Sequence, residues 1–376
     1  MIYFDNAATS YPKPLSVCNA VYGALMGPYA NPGRSGHPLS LAAGERIFEV
    51  REAAAEFFGA LPEEVVFTKN ATEALNVAIK GCYALSGKSE IIISDLEHNA
   101  VYRPVCKLEK GGATVKIFNT DGSPEQIVKS FEALCTKNTS LAVFTHASNV
   151  TGKLLPVSKL CDVAKRYGIT TVIDASQTAG LADIDLGEIK ADFLCTAGHK
   201  SLFGPMGTGL LIARGGADTL IEGGTGVLSV EKEMPSFTPE RFEGGTLNFP
   251  GIIGLGAGLT FILKKGRKAI SEHEQLLLKE CALRLEKISG VTLYLSPRDK
   301  ALNTLSFNIK GYSSGEAADV LSKSGFCLRS GLHCAPLAHS KLGTLSGGTL
   351  RASFGFFNTE NEVLELVRAV SELKSK

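Results

Sequence analysis

Apolar residues in this chain come in short runs. EVVFT, EIIIS, ATVKIFN, LAVFT, ITTVID and ADFLCT, all between residues 64 and 196, are dominated by Val, Ile, Leu, Ala and Phe. Runs this short and this rich in β-branched residues read as strands. Their near-continuous apolarity reads as burial on both faces, as in a parallel sheet. Between them the period changes. PLSLAAGERIFEVREAAAEFFG repeats apolar positions every three or four residues and stops at Gly59, and LPVSKLCDVAKRYG is amphipathic at the same spacing. Strands alternating with helices predict an α/β fold, a large lobe with a mostly parallel sheet flanked by helices. A site is expected at the carboxyl ends of its strands. Past about residue 262 the pattern gives a long helix, EHEQLLLKECALRLEKISG. Four short strands (VTLYLS, TLSFNI, FCLRSG, LRASFG) and a closing helix, TENEVLELVRAVSELKSK, follow. That is a smaller α+β lobe. The predicted division is 15–262 for the large lobe, and 1–14 with 263–376 for the small one. A chain of 376 residues exceeds what one core usually holds.

Composition narrows the function classes. Charged residues make up 20% and the formal net charge is +1, which gives no bias toward nucleic acid, membrane or acidic partners. GIIGLGAGLTFIL, the longest apolar run, is glycine-rich and too short to span a bilayer, and MIYFDNAATS has no export-signal pattern. The nine cysteines are odd in number and without a C-x-x-C pair. They read as reduced thiols of a cytoplasmic protein.

Candidate chemistry centres on ADFLCTAGHKSLFGPMGTG. A strand stops there at Gly198-His199-Lys200 and runs into a glycine-rich loop. Most loop lysines are solvated charges. A lysine closing a buried strand is different, because burial makes its amine a usable nucleophile. ITTVIDASQTAG ends its strand in Asp174. That carboxylate could cap a helix, bind a metal, or hold a heterocycle's ring nitrogen protonated. No ligand cluster accompanies it for a metal. An aspartate and a lysine at the ends of successive strands is the arrangement pyridoxal phosphate requires, with an imine to the lysine and a pyridinium facing the carboxylate. Ala71 and Thr72 fall where the helix of KNATEALNVAIKG begins. Free N–H groups there suit a phosphate, and a plain threonine cap is the other reading.

These motifs resemble the class V aminotransferase family, in particular its cysteine desulfurases. YFDNAATS, HASNVTG, DASQ, GHK, RSGLHCAP and LRASFG occur in the family's order across almost the whole chain. The resemblance implies a fold-type I pyridoxal phosphate enzyme that converts L-cysteine to L-alanine and keeps the sulfur as a persulfide, in service of iron–sulfur cluster assembly. It places the cofactor phosphate on Ala71, Thr72 and His199, and the ring between His98 and Asp174. Gln177 takes the phenolic oxygen and Lys200 the covalent link. Asn149 and Arg351 hold the substrate, with Arg329 and His37 near it. Thr246, in EGGTLNFPG, reaches the phosphate of the partner subunit in a homodimer. Cys334 is the persulfide carrier, for delivery to a sulfur-acceptor protein. The short segment from Cys334 to Arg351 looks like the second desulfurase group.

Three residues depart from the family pattern. Ala197 stands where a hydroxyl residue often precedes Gly-His-Lys, with Thr196 expected to face the other way. Leu332-His333 replaces the second group's His-His, and Pro336 follows the cysteine loop. Alternative readings are selenocysteine lyase or another class V reaction on L-selenocysteine or cysteine sulfinate, a non-catalytic sulfur carrier, and a Cys-His hydrolase. His333 and His339 with Cys334 give too few ligands, at unusual spacing, for a metal. Cys334, among Gly, His and Pro with Arg329 nearby, has the electropositive setting of a reactive thiol. Arg351 offers a guanidinium fork for a carboxylate.

Overall fold

A computed structural model describes residues 1–33, 35–295 and 301–373. The chain starts with β1 (Ile2–Tyr3), then the helix Leu15–Met26 and the predicted helix Pro38–Phe58, closed by Gly59 in the left-handed region at φ 62°. The strands of the large sheet follow as β2 (Val65–Thr68), β3 (Glu90–Ser94), β4 (Thr114–Phe118), β5 (Thr139–Thr145), β6 (Thr170–Asp174), β7 (Phe193–Ala197) and β8 (Gly209–Ala213). They lie in the order β2-β8-β7-β6-β5-β3-β4. From β7 across to β4 every pairing is parallel, whereas β8 is antiparallel to both β7 and β2.

Both faces of the sheet are buried, as the apolar runs predicted, except at the edge strand β4, where Thr114 and Ile117 are exposed, and the period of two sorts the inner strands between two cores. Phe144, Ile173, Leu194 and Ile212 pack into one, with Ala54 and Phe58 of the helix Pro38–Phe58 and Leu160 of Val157–Arg166. Val143, Val172, Cys195 and Leu211 face the other, against Leu75 and Ala78 of Ala71–Ser86 and Val101 and Val105 of Asn99–Lys110. Phe144 is fully buried, so Phe144→Ala would cost about 3–5 kcal/mol.

The remaining strands are β9 (Val291–Leu293), β10 (Thr304–Ile309), β11 (Phe326–Cys327), β12 (Arg329–Gly331) and β13 (Thr349–Ser353). Four form an antiparallel sheet in the order β12-β13-β10-β9. Its core joins Phe307 and Leu350 to Leu277 of the helix Arg267–Leu285 and Leu366 of Glu360–Leu373. The N-terminal stretch is knitted into this unit. β1 pairs with β11, Asp5 bridges to Ser353, and Phe4 lies in the same core.

Several elements are absent from the reading of the sequence pattern, among them β8, the helix Pro124–Glu132 and the two described next. The helix Leu15–Met26 buries only Val17 and Ala24, so no apolar stripe marks it. The run GIIGLGAGLTFIL is part of the helix Phe249–Lys265, and its glycines serve close approach. A Cβ at Gly258 would meet the Leu202 carbonyl oxygen at 2.2 Å, and one at Gly180 would meet that of Ser201 at 1.9 Å. Both glycines therefore brace the turn that carries Lys200. Among the described residues, no helix is long and apolar enough to cross a membrane.

Candidate active site

The carboxyl ends of β5, β6 and β7 meet the start of the helix Ala71–Ser86 around one cavity of about 220 Å³. Asp174 is the last residue of β6, Ala197 the last of β7, and Lys200 sits in the turn just after it. Ala71, Thr72, His98, Asn149, Asp174, Gln177, His199, Lys200, Arg329 and Arg351 all line this cavity. Residues up to 280 positions apart in sequence are thus brought together as expected. Ala197 lines it too, while Thr196 turns away and hydrogen-bonds the Ala175 carbonyl at 3.5 Å.

Three expected residues lie elsewhere. Cys334 sits at the rim, in a groove that shares Thr72, His98 and Ala100 with the cavity. His37 caps the helix Pro38–Phe58, its Nδ1 accepting the Ser40 N–H at 3.3 Å, and is not among the residues lining the cavity. Thr246 lines a separate groove of about 530 Å³ with Phe48, Arg51 and Phe237. The cap at Ala71–Ser86 is also reassigned. Asn70, not Thr72, accepts the Glu73 N–H at 2.9 Å, which leaves the first N–H groups of that helix directed at the cavity.

Burial governs the protonation states. It brings the Lys200 amine down to about 8; Arg351 and Arg329 push the same way and Asp174 opposes. Burial, helped by the Lys200 charge, holds His98 near 4, so its ring is neutral at pH 7. His98 Nδ1 accepts the Ala100 N–H at 3.0 Å, which places the ring proton on Nε2. His199 is likewise held near 4 by burial, then by Lys200 and Lys13, and its buried Nδ1 has no partner. Asp174 Oδ1 accepts the Ser176 N–H at 2.9 Å, which fixes the carboxylate plane.

Several site residues are missing from the sequence-based set. Asp5 forms an ion pair with Arg351 at 2.6 Å, and Arg351 also donates to the Asn149 carbonyl at 3.1 Å. Its Nε is buried without a partner. Glu97 is fully buried between the Ser94 hydroxyl and the Thr145 N–H. Burial lifts its carboxyl to about 8, so it is neutral at pH 7. Lys13 donates to the His199 carbonyl at 2.7 Å, alongside the hydroxyls of Thr9 and Ser10. The N-terminal segment therefore holds both Arg351 and the Lys200 turn. Its closeness to them has no local signal in sequence.

The Cys334 loop is tightly held. His333 and Cys334 both adopt left-handed backbone angles, φ 48° and 58°. The Asn149 side chain donates to the His333 carbonyl at 2.8 Å, and the Asn99 N–H to the Cys334 carbonyl at 2.6 Å. The His333 ring stacks on His339, with Nδ1 to Nε2 at 3.2 Å, and His339 Nδ1 meets the Thr344 hydroxyl at 2.8 Å. Burial pushes His333 down to about 3. Arg329 Nη2 approaches Cys334 Sγ at 3.6 Å, and no histidine hydrogen-bonds that sulfur among the described residues. That geometry gives the thiol an arginine neighbour and no hydrogen-bonded histidine, which speaks against the Cys-His hydrolase reading. No cluster of His, Cys, Asp or Glu suited to a metal ion occurs among the described residues.

The family model "Aminotransferase class-V" matches residues 2–366. A Methanothermobacter thermautotrophicus protein named "Probable cysteine desulfurase" is 33% identical over 381 residues, covering 99% of this chain and 94% of that protein. A Mycolicibacterium paratuberculosis protein of the same name is 34% identical; it is matched over 99% of this chain but 55% of its own length. The apo structure of a cysteine desulfurase from Thermococcus onnurineus NA1 superposes with a TM-score of 0.91 at 32% identity. That superposition covers all of this chain and 94% of the other.

Proposed function

The chain belongs to the aminotransferase class-V family and has the fold-type I architecture, and from this premise we propose that it is a pyridoxal phosphate-dependent cysteine desulfurase. The observation that carries the proposal is the convergence of Lys200, Asp174 and Arg351 on one cavity, with Cys334 at its rim beside Arg329. A desulfurase needs all four, whereas a transaminase has no use for the thiol.

The residues present fit the cofactor. The buried, unpartnered Nδ1 of His199 and the open N–H groups at Ala71 and Thr72 suit its phosphate. Asp174 would keep its ring nitrogen protonated, Gln177 would bond its phenolic oxygen, and the neutral His98 imidazole would lie on the ring. Lys200 would form the covalent link. The chemistry the bound cofactor supplies is an electron sink for the substrate's α-carbon.

The chain's own groups do the rest. Arg351 and Asn149 orient L-cysteine by its carboxylate. Lys200, with an amine that becomes neutral near pH 8, moves the α-proton. Cys334 Sγ forms a bond to the substrate's sulfur. As the carbon–sulfur bond breaks, its electron pair stays on the β-carbon, which takes a proton and becomes the methyl of L-alanine. We place the protein in the cytoplasm, where nine free thiols persist. We further propose a homodimer, in which the exposed Tyr22, Leu25 and Met26 are covered and Thr246 reaches the partner's phosphate site.

Product analysis tests the reading. With L-cysteine the holoenzyme should yield L-alanine and a persulfide on the Cys334 peptide in equal amounts. Cysteine sulfinate and L-selenocysteine are run alongside. Alanine from L-selenocysteine alone would replace the proposal with a selenocysteine lyase, and no alanine from any of the three would refute it.

A further inference from the structure

The groove at Cys334 has a second wall that the desulfuration step leaves unused. It holds about 340 Å³ and runs between two helices. Thr72, Asn76 and Lys80 line it from Ala71–Ser86, and Asn99, Arg103 and Lys107 from Asn99–Lys110. Each set is spaced by four, so each forms one stripe along its helix. Lys80, Arg103 and Lys107 are the charged side chains of the groove, no carboxylate lines it, and none of the three is ion-paired among the described residues. Arg103 and Lys107 are exposed. Three unpaired cations thus border the thiol on its solvent side. Elsewhere this near-neutral chain pairs many of its surface charges, including the i,i+4 pairs Lys268–Glu272 and Lys323–Asp319.

We propose that this groove docks an acidic, cysteine-bearing segment of a sulfur-acceptor protein, and that Lys80, Arg103 and Lys107 are the residues that select it. The proposal rests on the desulfurase reading and extends it to the step after persulfide formation. Charge complementarity identifies the occupant. Arg103 and Lys107 stand one helical turn apart, about 6 Å along the axis, and Lys80 projects from the facing helix. One carboxylate on a small thiol satisfies one of these sites, whereas an acidic chain satisfies all three. In the transfer, the acceptor's thiolate attacks the terminal sulfur of the Cys334 persulfide. A sulfur–sulfur bond to the acceptor forms as the one to Cys334 Sγ breaks, and Cys334 leaves as thiolate. The acceptor becomes the persulfide, so no external oxidant or reductant is consumed.

The test uses holoenzyme loaded with 35S-labelled L-cysteine and freed of excess substrate. Four acceptors are compared: a pentapeptide with cysteine flanked by four acidic residues, its Gly/Ser analogue, its lysine analogue, and mercaptoacetate. Wild type should deliver label to the acidic peptide at least tenfold faster than to the Gly/Ser peptide at low salt, within the 10–10³ range of electrostatic steering. The advantage should fade as salt rises. In the double variant Arg103→Glu, Lys107→Glu the order should reverse in favour of the lysine peptide. Alanine formation with the neutral acceptor dithiothreitol should not change, which shows that the variant is folded and active. The proposal is overturned if wild type does not distinguish the acidic from the Gly/Ser peptide, or if the preference survives charge reversal. Mercaptoacetate matching the acidic peptide would assign the groove to small anionic thiols instead. Absence of alanine with dithiothreitol would refute the desulfurase reading itself, and the docking proposal with it.

Discussion

Asp5→Asn removes the carboxylate that is ion-paired with Arg351. Arg351 is 1% exposed and its pair with Asp5 spans 2.6 Å. Removing one partner of a buried pair commonly costs about 3–5 kcal/mol, because the other charge is left uncompensated. Asparagine keeps an acceptor oxygen in place, which retains about 0.5–1.5 kcal/mol. The Asp5 side chain is also 22% exposed, so water screens part of the loss. The net expectation is a destabilisation of about 2–3 kcal/mol, read as a lower urea midpoint of the holoenzyme. If Arg351 is the carboxylate clamp, a bound amino acid supplies the missing charge. L-Alanine, which carries the carboxylate without the reactive sulfur, should then stabilise Asp5→Asn more than wild type. Its Kd should fall tenfold or more, since each 1.4 kcal/mol is a factor of ten. Urea unfolding with and without saturating L-alanine measures both quantities. A variant that loses stability but binds L-alanine no more tightly would show that Arg351 is a structural charge and not the clamp.

The holoenzyme should be yellow, and loading of the apo chain should speed up as pH rises through about 8. Burial lowers the Lys200 amine from its ordinary 10.5, so its neutral, nucleophilic fraction grows across that window; a stopped-flow midpoint above pH 10 would contradict this. Asp174→Ala should cost far more activity than Gln177→Ala at saturating cofactor, because Gln177 contributes single hydrogen bonds of about 0.5–1.5 kcal/mol; equal losses would undo the assignment. Cys334→Ser should still bind cofactor and L-cysteine but release no alanine, and mass spectrometry of the wild type after brief exposure should find added sulfur on the Cys334 peptide. Alanine release by the serine variant at the wild-type rate would mean the nucleophile is misassigned.

Most of the sheet was legible because its inner strands are buried on both faces and so appear as apolar runs. β8 was not: GLLIA, just past the glycine-rich loop, went unread as a strand, and so did its reversal. Its cause is nonetheless in the sequence, since residues 198–208 are too few for a crossover helix, and a short connection makes neighbours antiparallel. The strand-end residues Asp174 and Lys200 were readable for the same reason as the strands they terminate. Asp5 was not, because its partner Arg351 lies 346 positions away and no local pattern links them. The structural duties of His37 and His339 were not legible either, because a cap and a buried support leave no local signature: His37 caps a helix and His339 is a buried support for His333.

That support bears on how sulfur leaves the enzyme. The Cys334 loop carries two non-glycine residues in left-handed conformations, each costing about 1–3 kcal/mol. Such strain persists only where the surroundings fix the backbone. Here the carbonyls of both residues are hydrogen-bonded to segments that follow β5 and β3, through Asn149 and Asn99, and the His333 ring is locked on His339 and Thr344. Ala335 and Ala338 then enter the core of the large sheet, while β12, three residues before Cys334, belongs to the small sheet. A loop pinned at both ends and strained between them cannot swing its thiol from the cavity to a distant surface. On the proposed desulfurase reading, Cys334 would receive sulfur and surrender it from nearly the same position. The thiol of the proposed acceptor would then have to come to Cys334, and the cationic groove lined by Lys80, Arg103 and Lys107 adjoins it.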